Sequence, residues 1–238
     1  MSVHAVVLDI EGTTGSLSHV RDVLFPYARK RIGAWMRERR GTEDWHRVVR
    51  SVRAHTTEPG LDEEAVAERL EQWADADVKA APLKDLQGMV WASGYASGEL
   101  YGHVYPEVPR ALERWKAQGI ARYIYSSGSE AAQRDWFRHT EFGDLSGLLD
   151  GYFDLVSAGP KGEARSYRAI SGLLGGRCSS TLFVSDVGEE LDAAAAAGWQ
   201  TVAVRRRDDA RGAAVPGHPL VSSLDALGLT PVTDGINR

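Results

Sequence analysis

Apolar residues along the chain follow two rhythms. Val6-Val7-Leu8 is a short continuous apolar run that ends at Asp9, Glu11 and Gly12. A run without polar alternation predicts a strand buried on both faces, the kind found in parallel sheets. Phe25, Ala28, Ile32 and Trp35 then recur at spacings of three and four, the stripe of a helix. Pro59-Gly60 marks a turn. Beyond it Asp62 can cap a helix whose first turn carries Glu63 and Glu64 and whose apolar face is Val66, Leu70 and Trp73. Leu86, Val90 and Tyr95 predict another helix. No strand is predicted between about Ser16 and Gly102, so this stretch reads as an all-helical unit.

After Pro106 strand and helix alternate. Val108, Ala111, Leu112 and Trp115 predict a helix that stops near Gly119. A strand from Ile120 to Tyr125 ends in Ser126-Ser127-Gly128, and a helix follows through Ala132 and Trp136. A short strand from Phe153 to Val156 precedes Gly159, and Tyr167, Ile170 and Leu174 mark the next helix. Thr181 to Val184 is a strand ending in Ser185-Asp186. An alanine-rich helix through Leu191 and Ala197 stops at Gly198, and Thr201 to Val204 is the last clear strand. The alternation predicts an α/β fold with a parallel sheet and helices on both faces. Residues 1–15 and 106–238 would form this core, with 16–105 inserted as the helical unit. The tail of Arg205, Arg206, Arg207, Asp208 and Asp209 reads as solvated. Trp35, Trp73, Trp91, Trp115 and Trp136 read as packing residues.

Composition narrows the function classes. The chain has 238 residues, 43% hydrophobic and 26% charged, ordinary for a globular protein. A net charge of −5 gives no reason to expect nucleic acid or an anionic membrane as partner. The single cysteine, Cys178, allows no disulfide framework and suits a reducing cytoplasm. No signal peptide and no membrane span are expected. Without a heptad or an exposed apolar strand, a monomer is the expected state.

The predicted strands share one feature: each of the first four is followed by polar residues, Asp9 and Glu11, then Ser126 and Ser127, then Lys161, then Asp186. Ligands of open α/β sheets bind outside the carboxyl ends of the strands, so four distant segments would converge on one site. Each has a structural explanation. Asp9 to Thr13 can be an acidic turn. Ser127 with Glu130 fits a helix capping box. Lys161 can be a solvated lysine. Asp186 with Glu189 can be an N-cap, and Glu190 and Asp192 can be second-layer or surface acids. Together, in this order, they supply what a phosphate ester needs: a carboxylate nucleophile, acids for a hard cation, and donors for the phosphate oxygens.

The same residues resemble the haloacid-dehalogenase-like phosphatases, and within them the enolase-phosphatases of methionine salvage. The likeness runs through Leu8-Asp9-Ile10-Glu11-Gly12-Thr13-Thr14, Asp22 to Ala28, Leu86-Gln87-Gly88, Gly98-Glu99-Leu100 and Gly102-His103-Val104-Tyr105-Pro106. It continues through Tyr125 to Ser129, Gly159-Pro160-Lys161, Ser185-Asp186-Val187 and Glu190 to Ala194, covering the chain from Val6 to about Val204. The resemblance implies a Rossmann-like core with an inserted helical cap and one Mg2+ per subunit. It makes Asp9 the nucleophile and a metal ligand. Glu11 belongs to the metal site and to acid-base work, through its side chain or its carbonyl, and Asp186 completes the metal site. Ser126, Ser127 and Lys161 would bind substrate. The implied substrate is 2,3-diketo-5-methylthiopentyl-1-phosphate, enolised and then dephosphorylated to an acireductone, with Lys161 helping to stabilise the enolate. Glu11 is the first choice of base. Glu99, Tyr101 and His103 follow, although His103 reads more simply as a structural histidine. After the last strand the family often has an Arg-Pro-Gly-Asn-like run, and here only Arg205 matches it.

Three other readings keep the same residues. A phosphatase of this fold acting on another small phosphate ester would differ in its substrate range. A metal-free dehalogenase is disfavoured by Glu11 and Asp186. A silent binding module is disfavoured because no part of the site is missing.

Overall fold

The computed structural model describes residues 1–56, 58, 60–207 and 215–232. Pro59 of the expected turn, and Asp208 and Asp209 of the tail, lie outside the described residues. Contacts divide the chain into two compact units, Met1–Leu17 with Tyr101–Arg238, and Ser18–Leu100. By contacts, Ser16, Leu17 and residues 101–105 go with the first unit.

The first unit is built on a parallel sheet. Its strands are β1 (Ser2–Val3), β2 (Ala5–Leu8), β3 (Ala121–Tyr125), β4 (Gly151–Phe153), β5 (Thr181–Ser185), β6 (Gln200–Val204), β7 (Leu220–Val221) and β8 (Thr230–Pro231). Six of them pair in the order β4-β3-β2-β5-β6-β7, every neighbour parallel, while β1 pairs with β8. Val7 lies between Tyr123 on one side and Phe183 on the other. One face of the sheet buries Val7, Phe183 and Ala203 against Tyr167, Ile170, Leu191 and Ala194, which belong to the helices Ala164–Leu173 and Gly188–Ala196. Alternate residues of a strand point to opposite faces. Val6, Leu8, Leu182 and Val184 point the other way and are also fully buried, so both faces are covered, which is why these strands read as continuous apolar runs. The chain moves outward from β2 to β3 to β4 and then returns to the other side of β2 at β5. That reversal places the crevice for a ligand at the carboxyl end of β2.

The expected strand from Phe153 to Val156 lies earlier, at Gly151–Phe153. The Asp154 carboxylate accepts hydrogen bonds from Val156 N at 2.9 Å and Ser157 N at 2.8 Å. It turns the chain there and leaves Val156 95% exposed. The tail also differs from expectation, because Arg206 is buried rather than solvated.

The second unit contains no strand among its described residues. Its helices are Phe25–Arg29, Ile32–Glu38, Glu43–His55, Glu63–Asp75 and Ala81–Ala96, after a π-helical turn at Val20–Leu24. Helix Glu43–His55 was not expected, although Trp45, Val48, Val49 and Val52 form a regular apolar stripe and are buried. Ile32, Trp35, Val49, Val66, Leu70, Leu86 and Val90 share one core cluster, with Trp73 and Trp91 packed against it. Asp62 caps its helix as expected, accepting from Ala65 N at 2.9 Å. In the first unit Trp115 and Trp136 are buried.

Candidate active site

β2 delivers Asp9 to the carboxyl edge of the sheet, where its amide donates to Val184 O at 3.0 Å. The segment after it folds back on itself. Gly12 N donates to Gly15 O and Gly15 N to Ile10 O, each at 2.8 Å, and Thr14 Oγ1 donates to Asp9 O at 2.9 Å. Gly12 sits at φ +77°, and a Cβ there would overlap the Asp186 carboxylate. Glycine is therefore required both for the turn and for the approach of the two loops.

Lys161 is no solvated lysine. Only 8% exposed, it places Nζ 2.6 Å from Asp9 Oδ1 and 2.7 Å from Glu190 Oε2. The rings of Tyr125 and Phe183 each lie 5.9 Å from the ammonium. Burial by itself would lower the Lys161 pKa, but the charges and hydrogen bonds of Asp9 and Glu190 outweigh it and hold it above its ordinary value. Glu190 is raised, by burial first and by the Asp9 charge second, against the pull of Lys161. Its carboxylate also accepts from Ser185 Oγ at 2.8 Å.

Asp186 is fully buried. It does not cap the following helix. The N-cap of Gly188–Ala196 is Val187, with no side-chain cap bond, and Val187 N donates to Ser185 Oγ at 3.1 Å. Arg205 donates to the Asp186 carbonyl, which fixes the loop from behind. Glu11 is partly buried, and its backbone is bridged to Gly15.

The donor chemistry suits a hard divalent cation. Asp9, Glu190 and Asp186 place three carboxylates in a largely buried region with one buried ammonium. Oxygen donors with excess negative charge are what magnesium takes. Among the described residues no group of three His, Cys, Asp or Glu side chains forms a ready metal cluster.

At the end of β3, Ser126 is buried and its Oγ accepts from Gly128 N at 3.4 Å. Gln133 Nε2 holds this loop through Gly128 O at 2.8 Å and Phe153 O at 2.9 Å. The expected Ser127–Glu130 capping box does not form. Ser129 is the N-cap, accepting from Ala132 N at 3.3 Å, and Glu130 pairs with Arg134 at 2.6 Å. Asp154 Oδ2 takes the Glu130 amide at 3.1 Å. Ser127 is thus exposed and not used as a cap.

His103 Nδ1 accepts from Ser16 N at 3.0 Å and the ring packs edge-on to Tyr105. Tyr101 is 51% exposed. In the helical unit Glu99 pairs with Arg31 at 2.5 Å and accepts from Tyr27 OH at 3.1 Å. Asp192 remains a surface acid beside His218. The structure settles Glu190 as part of the Asp9 cluster. Its place in the first turn of the helix that follows β5, just after Asp186, is the signal that points there.

The family model of the haloacid dehalogenase-like hydrolases matches residues 3–198. Enolase-phosphatase E1 of Streptomyces avermitilis is 51% identical over 204 residues, covering 86% of this chain and 85% of its own. Enolase-phosphatase E1 of Pseudomonas aeruginosa strain PAO1 is 48% identical over 223 residues, covering 94% of this chain and 88% of its own. The crystal structure of the UTR4 protein of Saccharomyces cerevisiae superposes with a TM-score of 0.80 at 30% identity, over 95% of this chain and 100% of that one. The chain belongs to the haloacid dehalogenase-like hydrolases and, within them, to the enolase-phosphatase E1 family.

Proposed function

We propose that the chain is a magnesium-dependent bifunctional enolase-phosphatase of methionine salvage. It would enolise 2,3-diketo-5-methylthiopentyl-1-phosphate and then release its phosphate to give the acireductone. The observation that carries this reading is the buried Asp9–Lys161–Glu190 cluster beside Asp186, in a chain whose relatives bear the name enolase-phosphatase E1. Lys161 engages Asp9 Oδ1, and Asp9 Oδ2 is the oxygen assigned to attack. It forms a bond to phosphorus as the ester P–O bond breaks, while Glu11 protonates the leaving oxygen. Glu11 then takes a proton from water, whose oxygen attacks the aspartyl-phosphate and frees inorganic phosphate and Asp9. Ser126, Ser127 and Lys161 bind the phosphate oxygens.

In the first half-reaction Glu11 takes the proton from carbon beside a carbonyl, the Lys161 ammonium stabilises the oxyanion, and a proton from solvent completes the enol. The proton Glu11 carries is the one it gives to the leaving oxygen, and the one it later takes from water returns to solvent. His103 is passed over because its Nδ1 is engaged by Ser16, and Glu99 because Arg31 and Tyr27 hold its carboxylate. One Mg2+ would be held by the carboxylates of Asp9 and Asp186 and by Glu11, through its carbonyl or side chain. When bound, it supplies positive charge to the phosphate and enolate oxygens. The working unit is proposed as a cytoplasmic monomer that takes only this small phosphate ester as partner. No helix among the described residues is long and apolar enough to cross a membrane.

A dual assay on the diketone phosphate tests this, following ultraviolet absorbance of the enol and free phosphate with magnesium, with EDTA, and in Asp9→Asn. Absorbance change followed by magnesium-dependent phosphate release, with release lost in Asp9→Asn, is the expected result. Release from simple esters with no turnover of the diketone would leave a phosphatase of other specificity.

A further inference from the structure

We infer that Arg206, held in place by Glu107, is a positioning residue for the Asp9 loop. The inference rests on the reading of Asp9 as the nucleophile. Arg206 lies just beyond β6, in the stretch where the chain departs from the family's Arg-Pro-Gly-Asn-like run, and it reads as part of a solvated tail. In the fold its side chain is 4% exposed. Nε donates to Thr13 O at 3.1 Å, Nη2 donates to the same oxygen, and Nη1 donates to Glu107 Oε1. The guanidinium lies over the Tyr105 ring, 4.0 Å from its centroid.

Thr13 belongs to the folded-back segment that presents Asp9 and Glu11. That segment is tied internally through Gly12, Gly15 and Thr14. It is tied to the rest of the unit at two consecutive carbonyls. Thr13 O takes the Arg206 fork, and Thr14 O takes Tyr105 N at 3.0 Å. Tyr105 is itself the ring under Arg206. A planar, permanently charged fork with two donors on one oxygen fixes direction as well as distance, which a lysine ammonium does not. Glu107 neutralises the buried charge and fixes the far side of the guanidinium. It also accepts from Leu224 N at 3.4 Å, so the anchor reaches a third segment. Misplacing Asp9 relative to phosphorus is costly because attack needs a near-contact, aligned geometry. None of these groups touches substrate in this scheme, so the effect runs through the loop.

An open pocket of about 310 Å³ is lined by Tyr105, Glu107, Arg206 and Ser222. Because this pocket borders the Arg206 side chain, a small guanidinium cation is the rescue probe for its removal. The test uses the full chain carrying Arg206→Ala, with phosphate release followed at steady state and amide exchange of residues 9–16 followed by mass spectrometry. The expected result is a fall in kcat of about 10- to 100-fold with KM changed less than about threefold, and faster exchange in that segment. Ethylguanidinium should restore several-fold of kcat and slow the exchange, whereas ethylammonium should do neither. Arg206→Lys keeps charge without the fork, so it should remain defective; it also serves if Arg206→Ala does not fold. Unchanged exchange and unchanged kcat in the folded variants overturn the inference, as does a rise in KM alone or equal rescue by ethylammonium. If the unmodified chain releases no phosphate, the reading of Asp9 fails, while exchange and its rescue still decide whether Arg206 holds the loop.

Discussion

The two units use buried positions differently. Among the described residues, every buried acid, lysine and arginine lies in the α/β unit: Asp9, Glu107, Arg122, Lys161, Asp186 and Arg206. Among its described residues the helical unit buries only His19 and Gln87 of the polar and charged residue types, and ion pairs such as Arg29–Asp75 and Arg40–Glu63 lie outside. Burying a charge is costly unless a partner compensates. Apart from Arg122, which is held near the start of β3 by Leu148 O and Asp150, the α/β unit bears that cost around the carboxyl edge of its sheet, where the chemistry is proposed. The helical unit avoids it and is held by apolar contact. Changes to charge should therefore strike activity in one unit and almost nothing in the other, while cavities should strike stability in both.

The largest expected effect tests the α/β half of this contrast. Asp9→Asn keeps shape and removes the nucleophile, so phosphate release should fall about 10⁴-fold or more with the cooperative melt retained. A variant that still released phosphate at a tenth of the normal rate would end the nucleophile assignment. Lys161→Met should come next. It leaves Asp9 and Glu190 facing each other without the ammonium between them. Removing one partner of a buried ionic cluster costs about 3–5 kcal/mol, to be read by urea unfolding at neutral pH. A loss below about 1 kcal/mol would mean that solvent reaches the cluster and screens it.

The helical half has its own large effect, of a different kind. Leu70 is fully buried in the helical cluster, and Leu70→Ala should cost about 2–5 kcal/mol through lost burial and an unfilled cavity. A calorimetric scan that left the melting temperature within a degree of normal would show a core that collapses around the deletion.

These expectations depend on features that differ in how far the sequence discloses them. Strands β2 and β5 were legible because burial on both faces makes a strand almost continuously apolar, and β3 and β6 because their apolar and aromatic residues lie between turn and helix signals. The Asp62 cap and the faces of Val66, Leu70, Leu86 and Val90 were legible because both signals are local. Asp9, Lys161 and Asp186 could be grouped because each follows a strand of one parallel sheet. Three features were hidden, two of them because a polar partner lies far along the chain and the early end of β4 because a local turn at Asp154, bonded to Val156 N and Ser157 N, interrupts an apolar run. The cap at Ser129 rather than Ser127 depends on where Asp154, 24 residues from Glu130, places its carboxylate. The early end of β4 depends on the same side chain. The burial of Arg206 depends on Glu107, 99 residues away. A polar residue whose partner is distant looks solvated until the fold supplies that partner.

Two smaller effects sharpen the contrast on the helical side. Asp62→Ala removes the acceptor for Ala65 N and should cost about 1 kcal/mol, whereas Asp62→Asn should cost much less because the amide oxygen still accepts. Equal losses would mean that the charge in the first turn, and not the cap bond, is what matters there.

The smallest effect concerns Arg29 and Asp75, whose contacts of 2.6 and 2.8 Å look strong. The hydrogen bond from Arg29 holds the Asp75 carboxyl below its ordinary range, against a weaker opposing effect of desolvation. A carboxyl depressed in the folded state adds stability above its unfolded pKa, near about 3.9, and that stability fades as pH falls through the lower folded value. Asp75→Asn should therefore leave the melting temperature unchanged at acid pH and lower it only slightly at neutral pH. Because the pair faces water, salt should erase even that difference. If the neutral-pH difference survived in 1 M salt, the pair would be less accessible to solvent than its exposure indicates. The helical unit would then rely on charge after all, and the division between a unit that buries charge and one that excludes it would fail at this point.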